Sequence, residues 1–172
     1  MCGGVRFSYD PAYETQLNDS YAPEKLAQFR DSGVVESLFW QPRPVLPVLC
    51  EGQLQILDWG NREKQLRLPQ TGWVRQESLD AGKWDHLHPQ PIIIPALAGV
   101  EQKVWFSIDH GIRGIIVEQL GIQRVYMLTL APTAAFAELT GHNRMPALID
   151  QPHIVPINPV VRQVGFDAQL FG

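Results

Sequence analysis

The stretch Val45 to Trp59, VLPVLCEGQLQILDW, governs the reading of the fold. Two runs rich in Val, Ile and Leu flank Glu51-Gly52, a two-residue step suited to a tight hairpin, so Val45 to Cys50 and Gln53 to Trp59 are predicted as paired antiparallel strands. Pro47 carries no N–H and therefore places the first of them at an edge or at a bulge. The same texture continues outward. Ile92 to Ile94, Lys103 to Ile108, Ile112 to Val117 and Arg124 to Leu130 are further apolar or β-branched runs, with Asp109-His110-Gly111 as the turn joining the middle two. Helical signals are few. Pro23 to Asp31 has Pro23 at the first helical position, Leu26, Ala27 and Arg30 at three-to-four spacing, and Gly33 where a C-terminal cap falls. Thr133 to Leu139 is opened by Pro132 and closed by Gly141. The expected fold class is α+β: a strand-rich single domain over 1–172, with a curved, barrel-like antiparallel sheet and a few short helices.

The 172 residues include 14 Lys+Arg against 18 Asp+Glu, a formal charge of −4, which excludes a blanket polycationic coat for nucleic acid. With 45% hydrophobic and 19% charged residues, the chain can build a core without disulfide or metal staples, and disorder is excluded. Two cysteines make no disulfide framework and fit a reducing compartment. Met1 to Ser20 lacks the apolar stretch of a signal peptide, and Pro91 to Val100 is too short and proline-broken to span a bilayer. The expectation is a cytoplasmic protein with no membrane partner and no cofactor.

Two segments carry chemistry. Excision of Met1 before the small residue Cys2 would leave an amine and a thiol on one residue, both partly nucleophilic near neutrality by their reference pKa values. Such a 1,2-aminothiol condenses with an aldehyde to an imine and closes a five-membered thiazolidine, a product no internal cysteine can form. A retained Met1 turns that nitrogen into an amide and blocks the ring closure. The other segment, Gly141-His142-Asn143-Arg144-Met145-Pro146, sets an acid–base imidazole two residues from a guanidinium suited to phosphate.

Together these segments resemble the SOS-response-associated peptidase (SRAP) family, whose members begin Met-Cys-Gly and carry a late His-x-Arg-Met-Pro. Weaker matches follow in order between them. Pro42 to Leu49 is similar to the family's proline-rich strand, Trp59-Gly60 to its Trp-Gly, and Trp73 to Ser78 to its Asn-Ala-Arg-x-Glu-Thr. Ile92 to Glu101 falls where the family has an apolar run, Pro-Ala and a Glu. Gly114 to Glu118 and Thr129 to Ala134 match two later strands. The resemblance runs to about Asp150.

The resemblance implies a sensor of abasic sites in single-stranded DNA that captures the ring-opened sugar as a covalent DNA–protein crosslink. Cys2 would be the nucleophile, Glu101 the carboxylate assisting sugar opening and proton transfer, and His142 the acid–base group at the lesion. Arg75 and Arg144 would hold flanking phosphates, with Trp73 in the same DNA-binding segment. Glu and His are the residue types such proton shuttling needs, and Arg suits phosphate positioning. Three positions depart from the family. Trp73 stands in place of an Asn that both donates and accepts hydrogen bonds. Gly4 replaces an Arg, and Gly99-Val100-Glu101-Gln102 lacks the aromatic residues that usually surround the Glu.

Other residues read blandly. His86 and His88 lie at i and i+2, one face of a strand, yet two imidazoles beside Asp85 fall short of a metal set, and no metal is expected. Cys50 reads as a small buried hydrophobe. Arg62, Lys64 and Arg67 make a locally positive segment beside Trp59 that reads first as a solvated hairpin face and second as a track for a DNA backbone; Glu118 is structural, and His110 and His153 lack distinguishing context. Two other functions fit the same residues. One is a non-catalytic DNA- or protein-binding module on the same fold, and the other is an N-terminal-nucleophile cysteine peptidase or amidase with His142 as base.

Overall fold

A computed structural model describes residues 1–157; the part of the expected domain from 158 to 172 lies outside the described residues. In chain order the strands are β1 (Gly4–Ser8), β2 (Val34–Leu38), β3 (Val45–Cys50), β4 (Gln53–Asp58), β5 (Trp73–Arg75), β6 (Gln90–Ile94), β7 (Ala98–Glu101), β8 (Val104–Ser107), β9 (Ile112–Gln119), β10 (Ile122–Leu130) and β11 (Met145–Pro146). The helices are α1 (Glu14–Leu17), α2 (Pro23–Ser32), α3 (Gln76–Asp80) and α4 (Ala134–Thr140). The fold is α+β and strand-rich, as its sequence texture predicts. Among the described residues, no helix is long and apolar enough to cross a membrane.

Two sheets share the core. The smaller has the order β2-β1-β7-β8, and the larger β11-β10-β9-β6-β3-β4. Pairing is antiparallel except for β5, which lies parallel to β10 with Arg75 opposite Thr129. The larger sheet curls until the end of β4 returns to β10. There Trp59 and Val125 form a lone parallel bridge and the Gly60 N–H donates to the Val125 carbonyl at 2.8 Å. The curvature is barrel-like, with that one bridge spanning the gap.

The hairpins follow from turn chemistry. Glu51-Gly52, Gln102-Lys103 and Leu120-Gly121 all have positive φ at both central residues, the geometry that matches the twist of a two-residue hairpin. Lys103 therefore belongs to a turn, and its strand starts at Val104. Pro47 is not at an edge: β3 lies between β4 and β6. Its pairing with β6 is confined to Leu49 opposite Ile93, so Pro47 leaves no ladder bond unmade on that side. Asp109-His110-Gly111 joins β8 to β9 but makes no hairpin, because those strands belong to different sheets.

α2 begins with Pro23 at its first turn and ends at Gly33, whose φ of 72° no β-carbon favours. Its inward face is Leu26 and Phe29; Arg30 instead points outward to Glu14, at 2.7 Å. α4 is capped by the Thr133 hydroxyl, which accepts from the Phe136 N–H, and closed by Gly141 in the left-handed region. That reversal aims the following residue, His142, at the start of the chain. Between the sheets pack Val5, Phe7, Leu46, Val48, Ile94 and Phe106, all nearly inaccessible. Each such side chain contributes about 1.5–3 kcal/mol by leaving water.

Candidate functional site

β1 starts immediately after the chain's first three residues and is held on both sides, by β2 and β7, so the N-terminus is fixed in the smaller sheet. The Gly3 N–H donates to the Val100 carbonyl at 2.9 Å, and the Gly3 carbonyl accepts from the Phe39 N–H at 2.9 Å. Gly4 is buried within this ladder. A β-carbon there would lie 2.5 Å from Leu38 Cδ2 and 3.1 Å from Val100 Cγ1, so a long side chain has no seat without displacing both.

The amine of Met1 lies 2.9 Å from Glu101 Oε2 and 2.6 Å from His142 Nε2. His142 and Glu101 are themselves 4.0 Å apart. Glu101 ends β7 and is 3% exposed, and its Oε2 has no other partner among the described residues. The imidazole is oriented by the backbone: Nδ1 accepts the Arg144 N–H at 3.1 Å, and the His142 N–H donates to Thr140 Oγ1 at 3.2 Å. Nδ1 is also 2.9 Å from the amine, so both ring nitrogens lie within hydrogen-bond distance of it. Carboxylate and imidazole, both from the second half of the chain, thus converge on the nitrogen of its first residue.

Cys2 is fully buried. Its thiol donates to the Gly4 carbonyl at 3.2 Å and sits against Gly99, where a β-carbon would lie 3.1 Å from Sγ. Burial pushes the thiol up to about 12, with the Glu101 charge adding to the shift and the Gly4 hydrogen bond opposing it. With Met1 in place the thiol is therefore protonated at neutral pH; the partial thiolate character expected of Cys2 belongs to the chain after Met1 removal, a different state.

Trp73 closes the floor. Its indole N–H donates to the Cys2 carbonyl at 3.0 Å, and its ring packs 4.5 Å from Phe39 and 5.8 Å from Trp59. The donor half of an amide side chain's role is thereby supplied by an indole. Arg75, two residues along β5 and on the same face, is exposed. Arg144 is 8% exposed, and its guanidinium is held by the Thr129 carbonyl at 2.8 Å and by Glu77 at 3.1 Å. A phosphate reaching Arg144 must share it with Glu77.

The fold therefore gathers Cys2, Trp73, Glu101 and His142 at one place, with Arg144 directly behind His142 and Arg75 beside Arg144's partner Thr129. Sequence reasoning missed Phe39, Thr140 and Gly99. Phe39 and Gly99 act on Trp73 and on the thiol through packing, which no local motif announces. The other candidates lie elsewhere. His86 and His88 fall in and just after a 3₁₀ turn, Asp85–Leu87, so they share no strand face, and both imidazoles are exposed. Cys50 is half-buried against the main core. Arg62, Lys64 and Arg67 lie on an exposed loop after β4, and their hairpin placement does not hold. Among the described residues no group of three or more His, Cys, Asp or Glu could hold a metal.

No family model matches the chain, and no curated protein matches it either. The functional reading therefore stands on the residues and their geometry.

Proposed function

We propose that the chain is a SRAP-type sensor of abasic sites in single-stranded DNA, capturing the ring-opened sugar on Cys2 once Met1 is removed. One observation carries this reading: the N-terminal amine is held between Glu101 and His142, the two residues that the resemblance assigns to the chemistry. After Met1 excision the Cys2 amine adds to the sugar aldehyde, and the carbinolamine loses water to an imine. The Cys2 sulfur then adds to the imine carbon, and the thiol proton passes to the nitrogen as the thiazolidine closes. The sum is aldehyde plus aminothiol giving thiazolidine plus one water. Glu101 and His142, which flank the nitrogen of residue 1 while Met1 is in place, are the groups that would take and return the protons of both steps.

The test begins with intact-protein mass spectrometry to verify Met1 removal. Processed protein incubated with single-stranded DNA holding one abasic site then gives a heat-stable crosslink that Cys2→Ala abolishes. Verified free-Cys2 protein that forms no crosslink overturns the proposal.

A second reading, a non-catalytic DNA- or protein-binding module, is favoured by the sealed Cys2 thiol and by the engagement of Arg144 with Glu77. It requires that any DNA binding be salt-sensitive and indifferent to Cys2→Ala.

A further inference from the structure

Trp40 is 65% exposed, although it follows the half-buried Phe39 and lies against Gly3, the residue next to Cys2. Its indole rests on Gly3: a β-carbon at residue 3 would stand 2.9 Å from the ring's Cζ3. The glycine next to Cys2 thus permits a flat, solvent-facing aromatic surface one residue from the nucleophile. Beside it, Arg62 stacks over the other aromatic of this turn, with its guanidinium carbon 4.5 Å from the Phe39 ring centre, and donates to the Gln41 carbonyl at 3.0 Å.

Arg62 also borders a groove of about 600 Å³ that contains Arg43 and Arg124. Arg43 is paired with Asp58 at 3.2 Å, and Arg124 with Asp58 at 3.3 Å and Glu63 at 3.8 Å. Among the described residues, Arg62 is the guanidinium of this groove that faces no carboxylate within ion-pair distance. An exposed ring, and a guanidinium pre-oriented by Phe39 and Gln41 and outside ion-pair distance of the groove's Asp58 and Glu63, thus belong to one neighbourhood around the 39–41 turn. Stacking on a ring is tolerant of base identity, and a guanidinium fits the phosphate next to the base.

We propose that Trp40 and Arg62 form a subsite for one unpaired base and its adjacent phosphate in single-stranded DNA. It rests on the reading of the site as DNA-directed, and it adds the element that would position the strand before any covalent step.

Binding of a short, labelled, undamaged oligothymidylate by the full chain tests it without involving Cys2. Trp40→Ala is expected to weaken binding at least about fivefold, and Trp40→Phe to retain most of it. Arg62→Gln is expected to reduce the slope of log affinity against log salt by roughly 0.7. Trp59, Trp84 and Trp105 are at most 9% exposed and Trp73 is only partly exposed, so Trp40→Phe should lose a large share of any DNA-induced quench while still binding, the remainder coming from Trp73. Failure of the wild-type chain to bind the strand, equal binding by wild type and Trp40→Ala, or Trp40-dependent binding of oligouridylate alone would each overturn the subsite. Trp40-dependent binding without abasic-site capture by free-Cys2 protein supports the subsite and rejects only the covalent reading.

Discussion

The indole of Trp73 donates its N–H to the carbonyl of Cys2 across 71 positions of sequence, at 3.0 Å. This bond fixes the backbone of the proposed nucleophile rather than its thiol.

Trp73→Phe keeps the ring against Phe39 and Trp59 but deletes that donor. The expected loss is about 0.5–1.5 kcal/mol in denaturant unfolding, the net value of one hydrogen bond. Abasic-site capture should slow by more than this stability loss explains, because the Cys2 backbone gains freedom. An unchanged capture rate would show that the bond is structural only.

The buried thiol makes stability depend on pH. Folding raises the Cys2 pKa to about 12, so above its unfolded value the unfolded chain has lost a proton that the native chain keeps. The stability associated with this group is fully present below about pH 8.5 and declines as pH rises toward 12. Cys2→Ala should flatten that decline relative to wild type, and an alkylating reagent at pH 8 should label Cys50 well before Cys2. Both comparisons apply to protein with Met1 retained.

Gly99 is confined between Phe106 and the thiol, at 2.9 Å and 3.1 Å from a notional β-carbon. Gly99→Ala is expected to cost about 1–3 kcal/mol by overpacking. The double variant Gly99→Ala with Cys2→Gly should recover part of that loss, since the second change removes one of the two obstructing groups. Chemical denaturation of the four proteins measures the coupling.

Glu101 Oε2 has the N-terminal charge as its partner in a nearly inaccessible setting. Acetylating the Met1 amine should therefore destabilise the protein by about 1–3 kcal/mol, the cost of leaving a buried polar group unsatisfied. Glu101→Gln should make stability much less sensitive to acetylation. A thermal unfolding series over the four combinations decides it.

Much of this architecture is visible in local sequence. The β3–β4 hairpin is legible because Glu51-Gly52 can take positive φ, and both helices with glycine caps end where Gly33 and Gly141 are written. The strands that frame the site are not legible in this way. β1 starts on a glycine, β5 is three residues long, and β7 reads as the tail of a proline-broken run, so each owes its extended state to neighbours far away in sequence. Cys2, Glu101 and His142 were nameable from motif spacing and family resemblance. The burial of the thiol, the commitment of Arg144 to Thr129 and Glu77, and the exposed Trp40 were not, because each depends on what packs around a residue rather than on its identity.

The pairing of the first residue with residues 101 and 142 also sets an order of events during synthesis. Until those two partners have left the ribosome, nothing in the finished site can hold the Met1 amine. At about 5–20 residues per second, the intervening chain takes roughly 7–30 seconds to make. In that interval the terminus is open to an aminopeptidase; afterwards it is tied to a buried carboxylate. Removing Met1 from a folded molecule requires breaking its contacts with Glu101 and His142, so an aminopeptidase is expected to trim the nascent or unfolded chain faster than the folded one.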